Sequence, residues 1–106
     1  MKFISVDFDG TLCTNAFPEI GQVKDANKKV HEMVQKLKKK GHLLILWTCR
    51  EDNPDRKYLT EAIEWCKSKG LEFDYINENP ESPWGDAQRK IYADLYIDDK
   101  SINPHL

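Results

Sequence analysis

Asp7 and Asp9 stand two residues apart at the end of an apolar run, Phe3-Ile4-Ser5-Val6, and Gly10 and Thr11 follow at once. Side chains two positions apart in an extended strand share a side, so both carboxylates are expected to project together where the strand runs out. Two acids that close repel each other unless a cation lies between them. Mg²⁺ prefers oxygen ligands and accepts one or two carboxylates with a substrate phosphate, which makes it the expected cofactor. Gly10 permits a sharp turn that brings backbone N–H groups toward the anion. The same chemistry returns further along the chain. Thr48 offers a hydroxyl directly after an apolar run, Asp98 and Asp99 follow another, and Lys90 adds an ammonium group shortly before it. Acids for a divalent cation, with a hydroxyl and an ammonium for an anion, make Mg²⁺ and phosphate the simplest ligand pair for the set.

The elements that must position these groups alternate between β and α patterns, which predicts an α/β fold: a Rossmann-like three-layer sandwich with a small, mainly parallel sheet of about four strands. The first strand is expected over Lys2 to Phe8, followed by a loop over Thr11 to Lys24. Asp25 is read as the N-cap of a helix whose Ala26, Val30, Met33, Val34 and Leu37 recur at helical spacing. Lys38, Lys39 and Lys40 suit the negative end of that helix, and Gly41 ends it. His42 to Trp47 is continuously apolar, as a strand buried on both faces requires. Asn53 and Pro54 read as N-cap and first residue of a second helix with a stripe of Leu59, Ala62, Ile63 and Cys66, stopped by Gly70. Phe73 to Ile76 reads as a third strand, Asn77 to Asp86 as a loop, and Ala93 to Ile97 as the last strand. Reactive residues thus fall at strand ends three times over. Ligands of such sheets collect beyond the carboxyl ends of the strands, so all should face one crevice.

With 106 residues and a net charge of −2, the chain reads as a single domain spanning residues 1–106, without the global basic field of non-specific nucleic-acid binders. The N-terminal apolar run is too short for a signal peptide and no stretch approaches a membrane span, so a cytoplasmic protein is expected. Cys13, Cys49 and Cys66 are odd in number and lack a CxxC pair, which argues against a disulfide framework and a zinc site. Cys66 is expected to pack in its helix.

The order of these motifs resembles the haloacid dehalogenase superfamily of phosphatases, in its smallest, capless form. The resemblance rests on Asp7-Phe8-Asp9-Gly10-Thr11, on Thr48 in Leu46-Trp47-Thr48-Cys49-Arg50, on Lys90 in Arg89-Lys90-Ile91, and on Asp98-Asp99 in Tyr96-Ile97-Asp98-Asp99-Lys100. It implies a Mg²⁺-dependent phosphomonoester phosphatase in which Asp7 attacks phosphorus and Asp9 serves first as acid, then as base. It further implies Asp7, Asp98, Asp99 and Asp9, the last through its backbone carbonyl, as metal ligands. Gly10, Thr11, Thr48 and Lys90 would hold the phosphoryl group.

Neither interval between the motifs has room for a cap, so the crevice is expected to be open, which suits a bulky or macromolecular phosphate ester; the substrate itself is read as a phosphorylated small molecule or macromolecule. The loop from Cys13 to Val23, with Phe17 at its tip, or a neighbouring subunit could serve as lid. An exposed sheet edge would favour a homo-oligomer. Two other readings use the same residues: a module that stores phosphate on Asp7, against which Asp9 speaks, and a nucleic-acid end-processing enzyme. The latter is not favoured, because Lys36 and Lys38 to Lys40 belong at the far end of the sheet from Thr48. Blander roles exist for each residue as well. Asp9-Gly10 is a common turn dipeptide, Thr48 can cap a strand, and Arg89 competes with Lys90. Asp94 reads as solvent-facing or as part of the turn into the last strand. Arg50 is expected either to contact substrate or to pair with Glu51, and Trp47, Trp65 and Trp84 to be packing groups.

Overall fold

A computed structural model describes residues 1–82, 93–98 and, as backbone, 102–104; Trp84, Arg89, Lys90 and Asp99 lie outside the described residues. The elements in chain order are β1 (Phe3–Asp7), α1 (Asp25–Lys39), β2 (Leu43–Trp47), α2 (Tyr58–Ser68), β3 (Tyr75–Ile76), β4 (Leu95–Ile97) and β5 (Ile102–Pro104). They form one sheet in the order β3-β2-β1-β4-β5, parallel through the first four and closed at one edge by antiparallel β5. The chain winds outward from β1 through β2 to β3 and then crosses back to β4 on the other side of β1. The topological switch therefore lies between β1 and β4.

Alternation along the strands sorts the side chains. Ile4, Val6, Leu44, Leu46 and Ile97 share one face and meet Val34 of α1 and Ala62 and Cys66 of α2 in the core. Ile45 points to the opposite face and is also fully buried, as expected of a parallel sheet covered on both sides. Both helices lie on the first face, as right-handed crossovers running in one direction require. They touch where the His31 ring meets Trp65 edge-on at 5.8 Å and where Gln35 Nε2 donates to the Lys69 carbonyl at 3.3 Å.

The two helix ends obey one rule. Gly41 (φ 88°) and Gly70 (φ 75°) take the left-handed conformation that other residues resist. Their N–H groups donate to Lys38 O and Lys67 O, and the following N–H groups, of His42 and Leu71, to Leu37 O and Cys66 O. This is the Schellman closure, and buried Leu71 anchors the second one.

Helix beginnings differ from expectation. Asp25 lies within the first turn of α1, and the preceding Lys24 N–H is taken by Asn27 Oδ1 at 3.0 Å. Asn53-Pro54 do not open α2. Asn53 instead folds a turn of its own, its Oδ1 accepting from the Asp55 and Arg56 N–H groups, and α2 begins at Tyr58 with Asp52 accepting from the Thr60 N–H at 2.9 Å. The buried line of α1 is Asn27, His31 and Val34, and Ala26 is exposed. Helical spacing was read there from apolar residues alone, whereas two buried positions are polar residues with backbone partners. Trp65 packs as expected, but Trp47, last in β2, is 37 % exposed. Asp94 leads into β4 and is not left to solvent: its N–H donates to Phe3 O and its carboxylate accepts from Phe3 N–H, both at 2.7 Å.

Candidate active site

The turn after β1 is built from its own backbone and then gripped from α1. Phe8 is fully buried, and its carbonyl accepts from the N–H groups of both Thr11 (3.1 Å) and Leu12 (3.0 Å) around left-handed Gly10 (φ 85°). Asn27 Nδ2 donates to Thr11 O at 2.9 Å, and the His31 Nε2–H to Leu12 O at 2.6 Å. These two positions are one helical turn apart, so a single face of α1 holds two successive carbonyls of the turn. The Thr11 N–H is spent on Phe8, whereas its buried hydroxyl has no hydrogen-bond partner among the described residues. The phosphate contact expected through backbone N–H groups near Gly10 is therefore not open at the Thr11 N–H.

Strand register brings the expected residues together. Val6 pairs with Ile97, so Asp7 and Asp98, one residue further on adjacent parallel strands, stand side by side at the switch point. Asp7 pairs on its other side with Trp47, so Thr48 lies one residue beyond that pair. Thr48 is buried; its N–H donates to Asn77 Oδ1 at 2.7 Å, and its hydroxyl oxygen accepts from the Arg50 N–H at 3.1 Å. The hydroxyl proton stays available to an acceptor.

Arg50 was read as either a substrate contact or a partner of Glu51; the carboxylate it pairs with is that of Asp9. Its guanidinium is fully buried and binds Asp9 in the two-pronged geometry, Nε to Oδ2 at 3.0 Å and NH2 to Oδ1 at 2.8 Å. NH1 and NH2 also donate to Pro18 O at 3.2 Å and Glu19 O at 2.9 Å. The rings of Phe8 and Phe17 each lie 5.1 Å from its central carbon. Each Asp9 oxygen keeps lone-pair capacity beyond the bond to Arg50.

The loop read as a candidate lid is tied at several points. Thr14 N–H donates to Gln22 O at 2.8 Å and Gln22 N–H to Thr14 Oγ1 at 2.9 Å, closing its base, with Gly21 against the Thr14 carbonyl where a Cβ would sit at 1.9 Å. Arg50 holds its middle, and Glu19 is bound at 2.7 Å by Arg56, which also grips Glu61 of α2. Arg56 holds the carboxyls of both Glu19 and Glu61 below the usual carboxylate range. The Thr60 hydroxyl does the same for Asp52. Burial pushes the Cys13 thiol up and the Cys66 thiol to about 12, while Cys49 is exposed.

The donor chemistry fits a hard divalent cation. Asp7 and Asp98 offer two carboxylates on adjacent strands, and the resemblance implies the Asp9 backbone carbonyl as a further ligand. Among the described residues no three His, Cys, Asp or Glu side chains converge as a preformed metal cluster. Lys90 and Asp99 lie outside the described residues. Sequence reasoning missed Asn27, His31 and the role of Arg50. The i, i+4 spacing of the first pair and the closeness of Arg50 to Thr48 were the available signals.

Among solved structures, one of a conserved protein coded by a Bacteroides thetaiotaomicron locus is 38 % identical to this chain with a TM-score of 0.76, the match covering 97 % of this chain and 79 % of that one. No known family profile matches the chain, and no curated protein does. Among the described residues no helix is long and apolar enough to cross a membrane.

Proposed function

This chain belongs to the same family as that conserved Bacteroides thetaiotaomicron protein, and from its strand-end groups we propose that it is a phosphomonoester phosphatase that uses Mg²⁺ and an aspartyl-phosphate intermediate. The observation that carries the reading is the register of β2, β1 and β4, which gathers Thr48, Asp7 and Asp98 at one end of the sheet beside the Asp9–Arg50 pair. The resemblance to haloacid dehalogenase phosphatases assigns the roles.

Asp7 attacks phosphorus through one carboxylate oxygen as the bond from phosphorus to the leaving oxygen breaks. The electron pair stays on that oxygen, which takes a proton from Asp9. A water then attacks the phosphorus of the aspartyl-phosphate and gives its proton to Asp9, freeing Asp7 and inorganic phosphate. The Thr48 hydroxyl donates to a phosphoryl oxygen, where it stabilises charge that grows in the transition state. Arg50 acts through Asp9, holding its carboxyl in one orientation while both proton transfers occur. A cation held by Asp7, Asp98 and the Asp9 carbonyl would supply the positive charge that lets an anionic carboxylate approach an anionic phosphate.

A screen over phosphorylated metabolites, with and without EDTA, tests the reading. Activity is expected to vanish on chelation, return with Mg²⁺, and fall by at least about a thousandfold in Asp7→Asn. Metal-independent hydrolysis, or turnover that survives this substitution, would overturn it.

A further inference from the structure

Thr48 is fixed from two directions, and one of them comes from outside its own strand. Its hydroxyl oxygen accepts from the Arg50 N–H, two residues on, at 3.1 Å. Its N–H donates to Asn77 Oδ1 at 2.7 Å, a contact that spans 29 residues. The ladder between β2 and β3 closes with the pairing of Leu46 and Ile76, so β3 has ended before it comes level with Thr48. At that point a side chain takes over from the strand.

Asn77 is shaped for the reach. It stands just past β3 at φ 56°, among the described residues the one position other than glycine in the left-handed region, and its own N–H donates to Leu46 O at 2.8 Å. Asparagine tolerates that conformation, but it commonly spends its side chain on its own turn. Asn53 and Asn79 do so, each Oδ1 accepting from N–H groups two or three residues on. Asn77 instead carries its acceptor to the end of the neighbouring strand. The segment around it is closed behind, where Tyr75 Oη donates to Glu81 Oε2 at 2.6 Å and the Glu81 N–H to Asn79 Oδ1 at 3.1 Å. Glycine at 77 would keep the conformation and lose the acceptor. Aspartate would keep both and add a negative charge next to the hydroxyl that is to hold an anion.

Resting on the phosphatase reading above, we propose that Asn77 is a positioning residue: by holding the Thr48 N–H it fixes the peptide from which the Thr48 hydroxyl is aimed at a phosphoryl oxygen. It acts through Thr48 and touches no substrate itself. A displacement of about 1 Å in such a group can cost up to a hundredfold in rate.

A double-mutant cycle with Thr48 separates positioning from a purely structural role. Asn77→Gly is expected to lower kcat about tenfold with a smaller change in KM, and to have less than about a twofold effect in a Thr48→Val background. Asn77→Asp, which keeps the acceptor, is expected to retain kcat within about threefold and to lose mainly in KM, as its charge repels the anion. The cycle is also read without turnover, from the amide resonance of position 48 during titration with inorganic phosphate and Mg²⁺. Binding is expected to weaken about fivefold in Asn77→Gly and to weaken no further where Thr48→Val is already present. Losses that add in the cycle, or a kcat loss in Asn77→Asp equal to that in Asn77→Gly, would overturn the proposal. Phosphate binding that depends on Asn77 in a protein without turnover would uphold the positioning role and sink the phosphatase. Turnover with additive losses would do the reverse, and a wild-type protein that neither binds phosphate nor hydrolyses an ester would sink both.

Discussion

At the scale of single residues, the Asp9–Arg50 pair holds more of the site than any other contact. Its guanidinium ties a candidate acid to two carbonyls of the neighbouring loop with four hydrogen bonds. Lysine carries the same charge but cannot span two carboxylate oxygens and two carbonyls. Arg50→Lys is therefore expected to cost about 3 kcal/mol, which in a domain of this size lowers Tm by more than about 10 °C. A thermal melt within about 2 °C of wild type would show that the pair does not hold the loop. The thiols make an independent prediction. Burial raises Cys13 and Cys66, so a thiol reagent at neutral pH should modify Cys49 alone in the native protein and all three after denaturation. More than one fast-reacting thiol before unfolding would contradict the burial of the other two.

At the scale of elements, the 14–22 loop is a built part of the site. Gly21 is required by close approach, since a Cβ there would meet the Thr14 carbonyl at 1.9 Å. Gly21→Ala should open the loop base, cost roughly 1–3 kcal/mol and speed proteolysis between residues 14 and 22. Unchanged cleavage would argue that the base can give. The Arg56 contacts at the other end respond to acid. Glu19 and Glu61 have folded values below their ordinary range, so the stability they add is present above that range and is lost as pH falls through the lowered values. Tm should therefore drop more between pH 5 and pH 3, on the order of the usual carboxylate range, in wild type than in Arg56→Gln. Parallel acid limbs would contradict that.

The order of elements was legible in the sequence because period and punctuation were unambiguous: continuous apolar runs for the parallel strands, and glycines 41 and 70 for the helix ends. Helix starts were less legible. Asp52 caps α2 from outside its own turn, and Asn27 and His31 are polar residues on a face read from apolar spacing. Asp7, Asp98 and Thr48 could be placed from register logic alone, but the grip of Arg50 on Asp9 spans 41 residues, and the closeness of Arg50 to Thr48 signals only that it lies near the site.

At the scale of the whole molecule, the fold is a frame that sets two strand ends side by side at the switch between β1 and β4. Short β5 was not anticipated: three residues ending in a proline carry little periodic signal, yet they pair antiparallel with β4 and cover that edge. The other edge is β3, of two residues, so among the described residues neither border offers a long template for strand addition. The large claim at this scale is that the frame exists to let Asp7 accept a phosphoryl group. Beryllofluoride mimics a phosphoryl group on a carboxylate, so the most direct measurement is ¹⁹F NMR of the protein with beryllofluoride and Mg²⁺. The account predicts bound fluorine resonances that require Mg²⁺ and disappear in Asp7→Asn. Absence of bound signal in the wild-type protein, or a signal that persists in Asp7→Asn, would contradict it.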